Sequence, residues 1–436
     1  MNALNPAPAF HEVTSLSHDG RGVAHVGGKA LFIAGALPGE RVSVRNLKVR
    51  RHFDEATVDT IERPALQRVK PLCAHFGVCG GCSLQHLDPG AQIAAKQEHL
   101  LEELKRIGRA EPARILAPLT DSPWGYRRRA RLGARYVAKK RRVVVGFRER
   151  AAPFVADLKR CEILAAPLAA LIEPLGEMLT TLDIRARVPQ IEVAVGDNAT
   201  ALVLRVLQAP LADDLERLRS FARRFDVQIH LQTGGLDSVA ALDEAPALLY
   251  RLPEFGLELA FRPTDFIQVN AALNRRMIAR AIELLAPQPQ DEVLDLYCGL
   301  GNFTLPLARR AARVVGIEGE SGLLERARHN AQRNGIANVE FQVADLTAID
   351  AQMPWARRSY ARVLLDPPRV GAGEEVLRLI ERSGARRVVY VSCHPGSLAR
   401  DSGILVRELG FRLEAAGVVD MFPHTSHVES MALFKR

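Results

Sequence analysis

The sequence predicts an α/β protein in three parts: a doubly wound, mainly parallel sheet at the C-terminal end, a small β-barrel at the start, and a β-rich region between them. From Thr264 onward apolar β-type runs alternate with helical stretches, the pattern that builds a parallel sheet covered by helices. Before residue 63 short β-type runs are broken by turn signals at Gly27-Gly28 and Pro38-Gly39, which suits a barrel. The 436 residues are 47% hydrophobic and 25% charged, an ordinary globular composition that excludes disorder, collagen and a disulfide scaffold.

Taken in order, residues 1–63 contain runs at Gly22-Val-Ala-His-Val, Ala30-Leu-Phe-Ile, Arg41-Val-Ser-Val and Ala56-Thr-Val-Asp-Thr-Ile, enough for a five-stranded barrel. With Gly20-Arg-Gly-Val-Ala, the Leu37-Pro-Gly-Glu-Arg turn and the basic Lys48-Val-Arg-Arg strand, this segment resembles a TRAM domain, an OB-like RNA-binding module. Residues 64–262 open with a Cys-, Gly- and His-rich stretch and an amphipathic helix over 91–107. A β region follows: a basic hairpin, Arg127 to Tyr136 and Arg142 to Phe147, and strands at Ile191 to Val195, Ala201 to Val206 and Val227 to Leu231. Residues 263–436 place strands at Glu292, Arg313, Val339, Arg362 and Arg387, with a helix from Ser321 to Asn334. The last two strands, Leu413 to Asp420 and Val428 to Phe434, are joined by seven residues, too few for a crossover helix, so they pair antiparallel. A seven-stranded sheet of this kind resembles that of class I methyltransferases.

Charge and cysteine content narrow the function. The formal charge is +9, but Tyr126 to Arg150 alone holds 11 Lys and Arg against Glu149, leaving about −1 for the rest. A local basic block in folded sequence points to phosphate backbones, with Arg127, Arg128, Arg129 and Arg131 as candidates to hold them; the bland alternative is a solvated charged face. The longest apolar stretches, such as Ile163 to Ile172, fall short of the roughly 20 residues a membrane span requires. Met1 to Phe10 has neither a basic n-region nor an apolar h-region, so the chain is expected to be cytoplasmic, and monomeric for want of a dimer motif. Six cysteines in a reducing compartment are unsuited to structural disulfides. Cys73, Cys79 and Cys82 share a glycine-rich loop, and Cys161 follows after 78 residues. Four thiolates suit either tetrahedral zinc or a [4Fe-4S] cluster.

Asp295-Leu-Tyr-Cys-Gly-Leu-Gly-Asn-Phe-Thr304 closes the first strand of the sheet and opens a helix, bringing backbone close to a ligand at Gly299 and Gly301. Thr304 stands where a dinucleotide fingerprint has its third glycine, which argues against a pyrophosphate. Glu318 ends the second strand, where an acid accepts ribose hydroxyls; Asp345 and Asp366 follow the third and fourth. These acids converge on one sheet edge and suit a nucleoside without a phosphate chain, as S-adenosylmethionine is. Cys393 follows the fifth strand and precedes a helix whose amino end favours a thiolate.

The motifs Phe266-Ile-Gln-Val-Asn270, Asp295 to Thr304, Asp366-Pro-Pro-Arg369, Ser392-Cys-His-Pro395 and Val419-Asp-Met-Phe-Pro-His-Thr-Ser-His-Val-Glu429 resemble those of the RNA (uracil-C5)-methyltransferase family. The resemblance implies a covalent mechanism: Cys393 as nucleophile at carbon 6 of uracil and Glu429 as the base that removes the carbon 5 proton. It implies that Gln268, Tyr297, Asn302, Glu318, Asp345 and Asp366 line the S-adenosylmethionine site, and that Cys73, Cys79, Cys82 and Cys161 hold a closed [4Fe-4S] cluster. His424 and His427 either touch RNA or fix their loop. His394 departs from the Asn usual in the family. A TRAM-like start together with the cysteine set points to the members acting on 23S ribosomal RNA, most closely at uracil 1939. Another 23S uracil, two sites, the tRNA T-loop, or a non-catalytic RNA-binding assembly factor are the alternatives.

Overall fold

The computed structural model describes residues 9–436; the expectation about an export signal rests mostly on residues 1–8, outside the described residues. The first unit is one curled six-stranded sheet built from Phe10–Glu12, Ser15–Leu16, Gly22–Val26, Lys29–Ala34, Arg41–Val49 and Phe53–Arg63. It exceeds the expected five strands by one, because the short strands Phe10–Glu12 and Ser15–Leu16 bracket the main set at its two edges. Gly27 and Gly28, both at positive φ, close the hairpin between Val26 and Lys29, a two-residue turn that L side chains resist. Val13, Ala24, Leu31, Ile33, Ala36, Val42 and Ala56 form its core.

The middle region carries a six-stranded sheet in the order Val239–Ala241, Gln228–Gln232, Thr200–Arg205, Gln190–Val195, Arg129–Val137 and Arg142–Gly146. The basic hairpin forms as expected, turning through residues 138–140. Two helices, Ile172–Thr181 and Ala212–Phe225, were not foreseen in this β region. The first has Pro174, Gly176 and two threonines, a weak helix-forming set, and is held by burial of Ile172, Leu175, Met178 and Leu179. The helix Pro89–Glu103 is capped by Asp88, which accepts from the backbone of Gly90 and Ala91.

The C-terminal sheet runs in the order Val339–Val343, Arg313–Glu318, Glu292–Leu296, Arg362–Leu365, Arg387–Ser392, Glu429–Lys435, Arg412–Val419. Only Glu429–Lys435 is antiparallel to its neighbours. The expected seven strands become eight, because Arg114–Ile115 adds at the edge parallel to Arg412–Val419. Val293, Leu294, Val314, Val315, Val363 and Leu364 are fully buried, each stabilising the sheet by about 1.5–3 kcal/mol. The hairpin Leu248–Leu252/Leu257–Phe261 packs into the same core as the helix Ala271–Leu285. No helix among the described residues is long and apolar enough to cross a membrane.

Candidate active site

Strand register alone brings the two principal residues together. Ser392 pairs with Ser430 across antiparallel strands, so the next positions outward, Cys393 and Glu429, face each other at the strand ends, within side-chain reach. Ser430 Oγ donates to the Ser392 carbonyl at 3.2 Å and fixes that register. Asp366 ends the neighbouring strand Arg362–Leu365. Burial raises Glu429 well above the usual carboxylate range, the Asp366 charge adds to it, and Arg369 opposes both. Burial likewise lifts Asp366 to about 7.

The thiol of Cys393 is pushed up to about 11, first by burial, then by Glu429 and Asp366, with Arg369 again opposing. The helix amino end expected to favour a thiolate is thus opposed by desolvation and, after it, by the two carboxylates. His394 accepts the Ser397 N–H at its Nδ1 (3.1 Å) and so caps the helix Pro395–Arg407, a task suited equally to an Asn carbonyl. Cys393 opens into a cleft of about 1100 Å³ whose far wall is the N-terminal sheet, with Ser17, Asp19, Val23 and Phe32 facing Arg369 and His427.

Beside this cleft the acidic strand ends gather. Asp295 is fully buried; one carboxylate oxygen accepts from the Thr304 hydroxyl at 2.5 Å and the other has no partner. Burial pushes it up to about 7; the Thr304 bond works against the rise, while the Asp366 and Glu318 charges add to it. Glu318 accepts backbone N–H bonds from Gly299 (3.1 Å), Gly319 (2.8 Å) and Glu320 (3.1 Å), which orients its carboxylate and leaves lone pairs for hydroxyls. Tyr297, Gly299 and Gly301 all have positive φ, a turn so tight that a non-glycine residue at its start is strained. The Tyr297 hydroxyl holds it by donating to the Ala372 carbonyl. A Cβ at Gly299 would meet nothing within 4 Å, so this loop faces open space where a ligand fits. Asp345 is exposed and turns its own loop by accepting from Thr347, which lowers it below the ordinary value. Asn302 exchanges bonds with Asn274 and accepts from Tyr250; Gln268 lines a crevice with those same two residues. Tyr250 and Asn274 were missed because no motif marks them; only the fold joins them to Asn302.

The four cysteines expected as metal ligands, Cys73, Cys79, Cys82 and Cys161, line one small cavity with Phe76, Phe147 and Gln85. Among the described residues no group of three or more His, Cys, Asp or Glu is arranged to hold a metal ion as it stands. Burial pushes Cys82 up to about 12 and Cys161 up to about 11, with neighbouring thiols adding in each case. Donors already point at the sulfurs: Gly81 N–H at Cys79, the Gln85 side chain at Cys82, and the Ile163 and Leu164 N–H groups at Cys161. Soft sulfur donors, buried together and met by N–H groups, fit an iron-sulfur or zinc centre.

The basic block divides into two sets of arginines. Arg128 pairs with Asp197, and Arg129 reaches Glu192 (3.5 Å) and the Thr264 carbonyl (2.5 Å). Both, expected to hold phosphates, are half-buried and engaged with these protein partners. Arg127 donates from Nε to the Arg129 carbonyl. Arg131, though paired with Glu192 at 2.7 Å, is 67% exposed. It joins Arg135, Arg148, Arg150 and Arg185 around a groove of about 1010 Å³, where Arg185 lies over the Tyr136 ring. No motif marks Arg185 as a partner of the hairpin.

The sheet order, the glycine turn and the acidic edge define a class I methyltransferase fold, preceded by a module that matches the TRAM domain over residues 12–58. The tRNA (Uracil-5-)-methyltransferase family matches residues 255–436. The 23S rRNA (uracil(1939)-C(5))-methyltransferase RlmD of Alkalilimnicola ehrlichii is 53% identical over 97% of this chain and 96% of its own. The protein of the same name from Stenotrophomonas maltophilia strain K279a is 51% identical over 99% and 98%. The chain belongs to this family of RNA (uracil-C5)-methyltransferases. In fold it is similar to the Pyrococcus abyssi tRNA (uracil-54, C5)-methyltransferase, solved with S-adenosyl-L-homocysteine, at a TM-score of 0.76, 24% identity, and coverage of 98% and 99%.

Proposed function

We propose that this protein transfers a methyl group from S-adenosylmethionine to carbon 5 of uracil 1939 in 23S ribosomal RNA. The observation that carries the reading is the strand register that sets the buried Glu429 opposite Cys393, which lines the cleft. When bound, S-adenosylmethionine supplies an electrophilic methyl group on a positive sulfonium. Glu318 accepts its ribose hydroxyls, the Gly299 turn lets it approach the backbone, and Asp366 faces the methyl donor or the uracil. Tyr297 and Asn302, whose polar atoms are engaged with protein partners, shape the site; Gln268 and Asp345 border it.

Carbon 5 of uracil is a poor nucleophile until a sulfur adds at carbon 6. Cys393 forms that bond, and its proton passes to solvent in the open cleft. Carbon 5, now part of an enolate, takes the methyl group and releases S-adenosylhomocysteine; Glu429 then removes the proton left on carbon 5, the carbon 5–carbon 6 double bond re-forms, and the Cys393 sulfur departs with its electron pair. To enter the cleft the base is flipped from its stack, and Arg131, Arg135, Arg148 and Arg185 hold surrounding phosphates. Cys73, Cys79, Cys82 and Cys161 hold a [4Fe-4S] cluster that orders the surface next to this groove. The enzyme works in the cytoplasm as a monomer.

The test is incubation with methyl-labelled S-adenosylmethionine and unmodified 23S or tRNA transcripts, followed by nucleoside mapping. Label as 5-methyluridine at one 23S position is expected; label in tRNA or on another base overturns the reading. Protein purified without oxygen should be brown, with broad absorbance near ~400 nm; a colourless protein with stoichiometric zinc overturns the cluster.

A further inference from the structure

The loop between the last two strands, residues 420–428, leads directly into Glu429, and residues more than 290 positions away hold it. Lys96, 4% exposed, donates to the Asp420 carboxylate at 2.7 Å and to the Phe422 carbonyl at 3.0 Å. Tyr126 donates its hydroxyl to the Pro423 carbonyl. Gln92 accepts the His424 N–H at 2.9 Å and donates toward His424 Nδ1 at 3.2 Å. The backbone N–H groups of Ser83 and Leu84 both reach the His424 carbonyl at 2.9 Å, and Ser83 Oγ accepts the Ser426 N–H at 3.1 Å. The Trp124 ring lies 3.9 Å from that of His424.

This is more than a docking contact. His424 sits at φ 64, a left-handed conformation that costs a non-glycine residue energy unless its surroundings impose it. Every main-chain bond that imposes it comes from Ser83, Leu84 and Gln92. Ser83 directly follows Cys82, which lines the cysteine cavity, so the cysteine centre and the base loop are joined through adjacent peptide groups. A buried ammonium is retained only where it is paired, and among the described residues Lys96 pairs with Asp420 and the Phe422 carbonyl alone.

We infer that Ser83, Gln92 and Lys96 are positioning residues for proton removal, fixing Glu429 through the His424 loop and tying it to the cysteine centre. The inference rests on the reading of Glu429 as the base. In the step concerned, Glu429 takes the proton from carbon 5. The C–H electron pair becomes the carbon 5–carbon 6 double bond, and the carbon–sulfur bond breaks with its pair leaving on the Cys393 sulfur. Nothing else is consumed. A displaced base slows this step, while addition of Cys393 and methyl transfer proceed, so the methylated RNA stays bonded to the protein.

The experiment uses full-length protein with its cysteine centre, labelled S-adenosylmethionine and 23S transcript. Turnover and the denaturation-resistant, labelled protein–RNA adduct are read together for Gln92→Leu, Ser83→Ala and the control Glu429→Gln. Gln92→Leu is expected to lower turnover about tenfold or more while the labelled adduct accumulates; Ser83→Ala, which removes one hydroxyl and leaves the fold intact, should show the same signature at about threefold. Turnover lost without adduct, or unchanged turnover in Ser83→Ala, overturns the inference. If Glu429→Gln itself accumulates no adduct, the reading of the base fails instead; if it does and the positioning variants do not, only the inference fails.

Discussion

Cys393 lies where burial, and then the charges of two carboxylates, oppose its ionisation. A nucleophile lifted to about 11 by burial and two carboxylates gains reactivity only as those charges are neutralised in the loaded site. Cys393→Ala is expected to abolish both methylation and adduct, a fall of at least a thousandfold in turnover measured by label transfer. Glu429 acts as a base only when unprotonated, and burial raises both it and Asp366, the latter to about 7. Protons leave such a pair in steps that belong to the pair, so turnover should rise with pH through about 7. Replacing Asp366 with Asn removes a like charge and should move the rising limb to lower pH; an unmoved limb would show that another group titrates. Asp295 gives the stability counterpart. Its carboxyl is raised to about 7 when folded against about 3.9 unfolded, so its contribution is full below about 4 and lost as pH rises through 7. Asp295→Asn should gain stability relative to the parent by roughly 3–4 kcal/mol at most between pH 4 and 8, read from chemical denaturation at each pH.

The strands and their ends were legible because buried parallel strands are near-continuous apolar runs, and because the acids stand at the point where each run stops. Cys393 and Glu429 were legible from their motifs, though their opposition comes from the register of Ser392 with Ser430. The strand Arg114–Ile115 was not, since two exposed residues carry no periodicity. Nor was the pairing of Arg128 and Arg129: a charge run shows neither Asp197 nor Glu192, which lie more than 60 residues away and reach them through sheet pairing. The hairpin Arg129–Val137/Arg142–Gly146 therefore has two kinds of arginine, and substitution should separate them. Arg135, Arg148 and Arg185 make no ion pair among the described residues. Changing all three to Ala should weaken RNA binding and flatten the log–log salt slope by about 2–3. Arg129→Ala, by contrast, takes one partner from the buried Glu192 carboxylate and the donor from the Thr264 carbonyl, and should lower stability by about 1–3 kcal/mol. An unchanged salt slope in the triple variant removes the groove from the RNA path.

The cysteine loop is where the three parts of the chain meet. A Cβ added at Gly20 of the N-terminal sheet would lie 3.0 Å from Leu84. Arg150, which lines the basic groove, shares its electrostatic surroundings with Asp19 and with Cys82 and Cys79. Ser83 and Leu84 hold the His424 carbonyl. The barrel wall of the cleft, the groove and the base loop thus meet at one segment of about ten residues, in which Cys82 and Leu84 are buried and Val78 is exposed. On the proposal that its cysteines hold a metal centre, that centre adds to burial in ordering the segment. The acidic edge at Asp295, Glu318 and the Gly299 turn stands apart, fixed by the parallel sheet. Cys161→Ser, which removes the ligand supplied from outside the loop, should therefore weaken RNA binding by about tenfold and lower the melting temperature by several degrees. S-adenosylhomocysteine binding, measured by calorimetry on the same preparation, should be retained. Equal loss of both ligands would mean that the centre supports the whole fold, and loss of neither would mean that the loop is ordered without it.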